Sequence, residues 1–159
     1  MLENKYYSFE RLLKEAGYIL YTNVGYSMMP LLRQRRDIIE IRPLPGKPEK
    51  YDVILYKKRD KYILHRVLKV LPDGYIIAGD HNIFIEIDVT DDMILGIMTK
   101  IKRGRRTITP DNLWYKMYVH LWCDCYPLRM LILKIKFRIL DYLGAIKRRI
   151  LLLVKRYFL

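Results

Sequence analysis

Cysteine is nearly absent from this chain of 159 residues: Cys123 and Cys125 are the only two, one residue apart. A disulfide framework is thereby excluded, because so tight a spacing seldom closes a good bridge. Two thiols do not complete a zinc site, and His120 brings the neighbouring ligands to three at most. The expectation is therefore no metal and no cofactor, with both thiols kept in a reducing compartment. Acidic residues are also in deficit, 17 against 30 Lys plus Arg, which leaves a net charge of +13. That excess draws the chain towards something anionic, nucleic acid or a phospholipid surface. The opening residues Met1–Lys5 lack the basic start and long apolar run of a signal peptide. No uncharged apolar run approaches the about 18 residues of an ordinary transmembrane helix. A protein of the cytoplasm, or one peripheral on the cytoplasmic membrane, is expected.

Apolar residues make up 52% of the chain, enough to bury a real core. Residues 7–16 read as a short helix, with Ser8 as its cap, Phe9, Leu12, Leu13 and Ala16 as its apolar face and Gly17 as its stop. From there to about residue 102 the pattern is β. Segments 18–24, 37–42, 53–57, 62–71, 74–78 and 94–102 are rich in Ile, Val, Leu and Tyr and are separated by Pro, Gly and Asp turns. The fold expected is mainly β, a compact antiparallel body over 1–110, with a short N-terminal helix. Residues 111–159 form a helical extension that becomes strongly cationic from Leu128, where nine bases stand against Asp141 alone and hold +8 of the +13. Positions 132, 135, 139, 142, 146, 150, 153 and 157 make one apolar stripe at helical spacing. Such a helix can lie on an anionic membrane, pack on the body, or pair with another helix. The basic excess and the end Tyr157-Phe158-Leu159 favour the membrane surface through residues 128–159. Nucleic-acid readout is disfavoured, since no known module is visible in the body.

Three short segments place polar residues where a β body should be apolar or turning. Gly25-Tyr-Ser-Met-Met-Pro30 holds Ser27 on a constrained turn that can present its hydroxyl, with backbone N–H groups near Gly25 and Met28 to receive an oxyanion. Read alone, a serine between Gly and Pro is an ordinary turn residue. Tyr62-Ile-Leu-His-Arg-Val67 sets His65 inside an apolar strand, where a neutral imidazole can take a hydroxyl proton. Read alone, it is a hydrogen-bonded core histidine; His81 and His120 lack a comparable strand setting. Ala78-Gly-Asp-His-Asn82 offers Asp80 as the acid that would hold the tautomer of His65, or simply as an Asp turn.

Their order is what carries information. Ser-Met-x-Pro after a glycine, the strand entry Tyr51-Asp-Val-Ile-Leu-Tyr56, then His-Arg-Val and Gly-Asp-His-Asn together resemble the type I signal peptidase and LexA-like serine peptidase superfamily, from about Gly17 to Arg106. The resemblance implies Ser27 as nucleophile and His65 as base, in the Ser-His branch, with Asp80 at the family's carboxylate position. Glu86, Asp88, Asp91 and Asp92 follow at a spacing unlike that of the family's paired acids. Which acid orients His65 therefore stays open among Asp80, Glu86 and Asp88. The implied function is a serine endopeptidase that cleaves an extended leader, signal or precursor peptide. A non-catalytic peptide-binding relative and a basic membrane-surface protein are the alternatives.

Overall fold

The computed structural model describes residues 8–158, with the side chains of 126 and 153–158 outside the description. Met1–Lys5, Tyr7 and Leu159 thus lie outside the described residues, as do the side chains of the stripe members Leu153 and Tyr157. Helix α1 (Phe9–Ala16) starts where the Ser8 hydroxyl accepts the Arg11 N–H, and it ends where the Gly17 N–H donates to the Leu13 carbonyl. Eight strands follow: β1 (Ile19–Thr22), β2 (Ile38–Arg42), β3 (Val53–Lys58), β4 (Lys61–Leu71), β5 (Gly74–Ala78), β6 (Glu86–Val89), β7 (Ile94–Arg103) and β8 (Arg106–Ile108). They form one sheet in the order β1-β2-β7-β3-β4-β5-β6, with β8 added to β7, and every pairing is antiparallel. The six strands expected from the sequence are all present. The two that were not expected, β6 and β8, are short and rich in charge, so their apolar alternation is too weak to read.

Strand β3 explains how the sheet builds two cores. Side chains alternate across a strand, so Val53 and Leu55 enter one cluster with Ile39, Ile41 and Met98, while Ile54 and Tyr56 enter another with Val67, Tyr75 and Ile77. A strand covered on both faces needs apolar residues at every position, and 53–56 are all buried. The same parity divides β4. His65 pairs with Ile54 and shares the second core, whereas Arg66 pairs with Val53 and points into the first.

The chain divides into two compact units, Met1–Asp124 and Cys125–Leu159. The boundary lies later than the expected break at residue 110. Helix α2 (Leu113–Val119) and a π-helical turn (His120–Asp124) belong to the first unit, where Tyr115, Val119 and Cys123 join its main core. The second unit is α3 (Tyr126–Phe158), one continuous helix through Gly144. No helix among the described residues is long and apolar enough to cross a membrane.

Candidate active site

Ser27 sits on a turn that leaves β1 for the core. Gly25 has φ 118, a backbone conformation that a side chain would oppose, and it reverses the chain just before the serine. The Met29 N–H then closes the turn onto the Tyr26 carbonyl, Met28 is buried, and the Met29–Pro30 peptide is cis. Anchored by Met28 below, Ser27 stays half-buried at the surface. Among the described residues, its hydroxyl and the N–H groups of Ser27 and Met28 have no hydrogen-bond partner. Its carbonyl, by contrast, accepts the His81 N–H at 2.7 Å.

That last bond ties the serine turn to the segment leaving β5. The β4–β5 ladder ends at the Arg66–Ala78 pair, so Gly79–Asn82 swings out beside His65. Gly79 is required by close approach: an ideal Cβ there would stand 2.5 Å from the Ser27 carbonyl oxygen and 2.9 Å from the Asn82 amide nitrogen. The Asn82 amide in turn reaches His65 Nε2 at 3.4 Å. Gly79, His81 and Asn82 thus link the Ser27 turn to the Nε2 edge of His65, and among the described residues no hydrogen bond joins Ser27 to His65 directly.

The other edge of the imidazole is held by an acid. Glu86 Oε1 lies 3.1 Å from His65 Nδ1, and the Tyr56 hydroxyl, 3.2 Å from the same nitrogen, donates to that carboxylate at 2.8 Å. Lys58 Nζ binds the second carboxylate oxygen at 2.9 Å and fixes its angle. A carboxylate and a phenol oxygen whose proton is already committed both accept from Nδ1. The network assigns the ring proton to Nδ1 and leaves the Nε2 lone pair directed towards Asn82. His65 is only 6% exposed. Burial depresses its pKa below 6.5, and the nearby Glu86 charge only partly restores it, so the ring is a neutral base at pH 7. Burial pushes Glu86 up, but hydrogen bonds from Lys58 and Tyr56 together with the Lys58 charge outweigh it and keep the carboxylate ionised.

Asp80 does not hold His65. Its two carboxylate oxygens accept from Arg66 Nε and Nη2, both at 2.8 Å, and the Tyr118 hydroxyl adds a third bond at 2.9 Å. Both members of the ion pair are fully buried. The reason lies in strand parity: Arg66 faces away from His65, and a bidentate guanidinium holds a buried carboxylate better than a neutral ring does. Asp88 binds Lys58 at 2.7 Å instead of the histidine. The orienting acid is Glu86, and Tyr56 and Asn82 complete the histidine's shell. Sequence order signalled Glu86 only as one of several acids; the pairing of Glu86 with Ile77 across β5–β6 is what brings it over the ring.

A cleft of about 390 Å³ opens beside Ser27, walled by Phe9, Tyr21, Ile39, Ile41, Leu55 and Leu64. Residues 61–65 of β4, of which Lys61–Leu64 line the cleft, pair with β3 on one side and have no strand partner on the other among the described residues. His120 lies elsewhere, bound through Nδ1 to Asp124 at 2.9 Å. Among the described residues no three His, Cys, Asp or Glu side chains converge as metal ligands. No protein-family model, curated protein or solved structure matches the chain.

Proposed function

We propose that the first unit is a serine endopeptidase of the signal-peptidase-like type, with Ser27 as nucleophile, His65 as base and Glu86 as the group that orients the base. The observation that carries this reading is the bracketed imidazole: Nδ1 on a carboxylate, Nε2 turned to the loop that is hydrogen-bonded to Ser27. In the reaction, Nε2 takes the Ser27 proton as Oγ attacks the scissile carbonyl carbon. The Ser27 and Met28 N–H groups receive the oxyanion on the turn shaped by Gly25. The imidazolium, stabilised by Glu86, returns its proton to the leaving amine as the C–N bond breaks. Water then loses a proton to the same nitrogen, attacks the ester and releases Ser27.

The substrate is a leader or precursor peptide lying extended along the unpaired side of β4, with an apolar side chain in the cleft beside Ser27. Cys123, buried, and Cys125, exposed, are not in a disulfide, which favours a reducing compartment, the cytoplasm or the cytoplasmic face of a membrane. A fluorophosphonate probe tests the proposal. Labelling should map to Ser27 and vanish in both Ser27→Ala and His65→Ala. Equal labelling of Ser27→Ala, or none of a folded wild type that also leaves peptide substrates intact, would turn the reading towards a peptide-binding relative.

A further inference from the structure

The peptidase chemistry uses nothing of the second unit, yet α3 has a surface of definite character. At 100° per residue, Ile132, Ile135, Ile139, Tyr142, Ile146 and Ile150 fall within one sector that contains no charged residue. All six are exposed, from 37% at Ile146 to 68% at Tyr142. Lys136 and Lys147 border the sector on one side, Arg138 and Arg149 on the other. Asp141 is the lone acid between Leu128 and the end of the helix.

We propose that α3 lies in the plane of an anionic phospholipid surface, its isoleucine sector among the acyl chains and its bordering bases on headgroup phosphates. The inference stands apart from the peptidase reading. An occupant of this face must be apolar at its centre, negative at both margins and continuous along the roughly 50 Å of a 33-residue helix. A second copy of α3 matches the centre but sets bases against bases, with only Asp141 to answer them. The stripe also advances by about 3.6 residues per step. That spacing runs straight along a flat surface, whereas a helical partner wants 3.5. Duplex nucleic acid matches the charge and leaves six large apolar side chains in water. A spanning path is closed, because the bases are distributed along the whole helix. In the surface plane every group is served at once, the Lys and Arg stems covering apolar surface while their heads reach the phosphates.

Co-sedimentation of the full chain with vesicles tests this. Vesicles of phosphatidylglycerol and phosphatidylcholine in equal parts should bind roughly tenfold or more tightly than phosphatidylcholine alone, and added salt should weaken the binding. Lys136→Glu/Arg149→Glu should lose most of the preference for anionic vesicles. Ile139→Asp/Ile146→Asp, with its helical circular dichroism retained, should lose sedimentation altogether. Equal binding to neutral vesicles, or an Ile139→Asp/Ile146→Asp variant that still sediments, would overturn the proposal. So would tighter retention on duplex DNA, or a stable dimer in solution that ignores vesicles.

Discussion

At the scale of single residues, two acids close to His65 in the fold do opposite work. Glu86 touches the imidazole and is partly exposed, so Glu86→Gln should leave the melting temperature nearly unchanged. It should cut turnover by about 10²–10⁴-fold, since the amide neither holds the Nδ1–H tautomer nor stabilises an imidazolium. Asp80 touches no reacting group, and Asp80→Asn strips a buried guanidinium of its counter-charge. A loss of about 3–5 kcal/mol in urea unfolding is expected there. Peptide cleavage and denaturation of both variants will separate the roles, and they are reversed if Asp80→Asn is the stable, inactive one. The pH profile adds a sign. The base is active when neutral, and burial lowers its pKa, so the acid limb of kcat/KM should lie below pH 6.5. Because the Glu86 charge raises that pKa, Glu86→Gln should move the limb to still lower pH.

Between elements, the site is held from behind. The Trp122 indole N–H donates to the Asp80 carbonyl at 2.7 Å, Tyr118 reaches the Asp80 carboxylate, and the Arg66 guanidinium lies between the rings of Tyr115 and Tyr118 at 5.6 and 5.9 Å. Helix α2 and the π-helical turn thereby fix the segment that carries His81 to Ser27 and Asn82 to His65. Tyr118→Phe should cost about 1–3 kcal/mol in stability by leaving a buried carboxylate one donor short. On the proposed reading it should lower kcat more than it raises KM, because the loop joining the Ser27 turn to His65 loosens while the cleft stays intact. An unchanged kcat would show that this brace only stabilises. None of it is legible in the sequence, where the aromatic run 113–122 reads as the start of an amphipathic extension. The strands with clean alternation, the cap at Ser8 and the serine and histidine segments could be read. What could not be read are pairings made across the sheet: Arg66 with Asp80, and Glu86 with His65. Local spacing carries no information about which of several acids a β5–β6 pairing will bring over the ring.

For the molecule as a whole, titration below pH 7 should act mainly in one direction, opposed by Asp52, whose carboxyl burial pushes above its ordinary range. His65 binds its proton less readily folded than unfolded, so its contribution is complete above pH 6.5 and falls away as the pH drops below that value. Glu10, held down to about 2 by Lys57 and Tyr62 against the opposing effect of burial, contributes above pH 4.5 and loses that contribution towards pH 2. Asp37, lowered by Arg103 and the Arg33 N–H against its own burial, adds to the same acid limb. A net charge of +13 grows as the carboxylates are neutralised, and self-repulsion then works in the same sense. The melting temperature should therefore decline steadily from pH 7 to pH 3 in calorimetry; a maximum near pH 5 would contradict this sum.

The half-paired strand β4 has a further consequence. A backbone open enough to accept a peptide is equally open to the strand of a neighbouring molecule, so the seat proposed for a substrate is also a point of entry for aggregation. Its outer end is the hairpin Lys58-Arg59-Asp60-Lys61, three positive charges in four residues. A second copy pairing there in parallel register would bring Arg59 and Lys61 against their own counterparts. The tip of this hairpin thus disfavours one register of self-pairing while leaving the strand open to a chain of different charge.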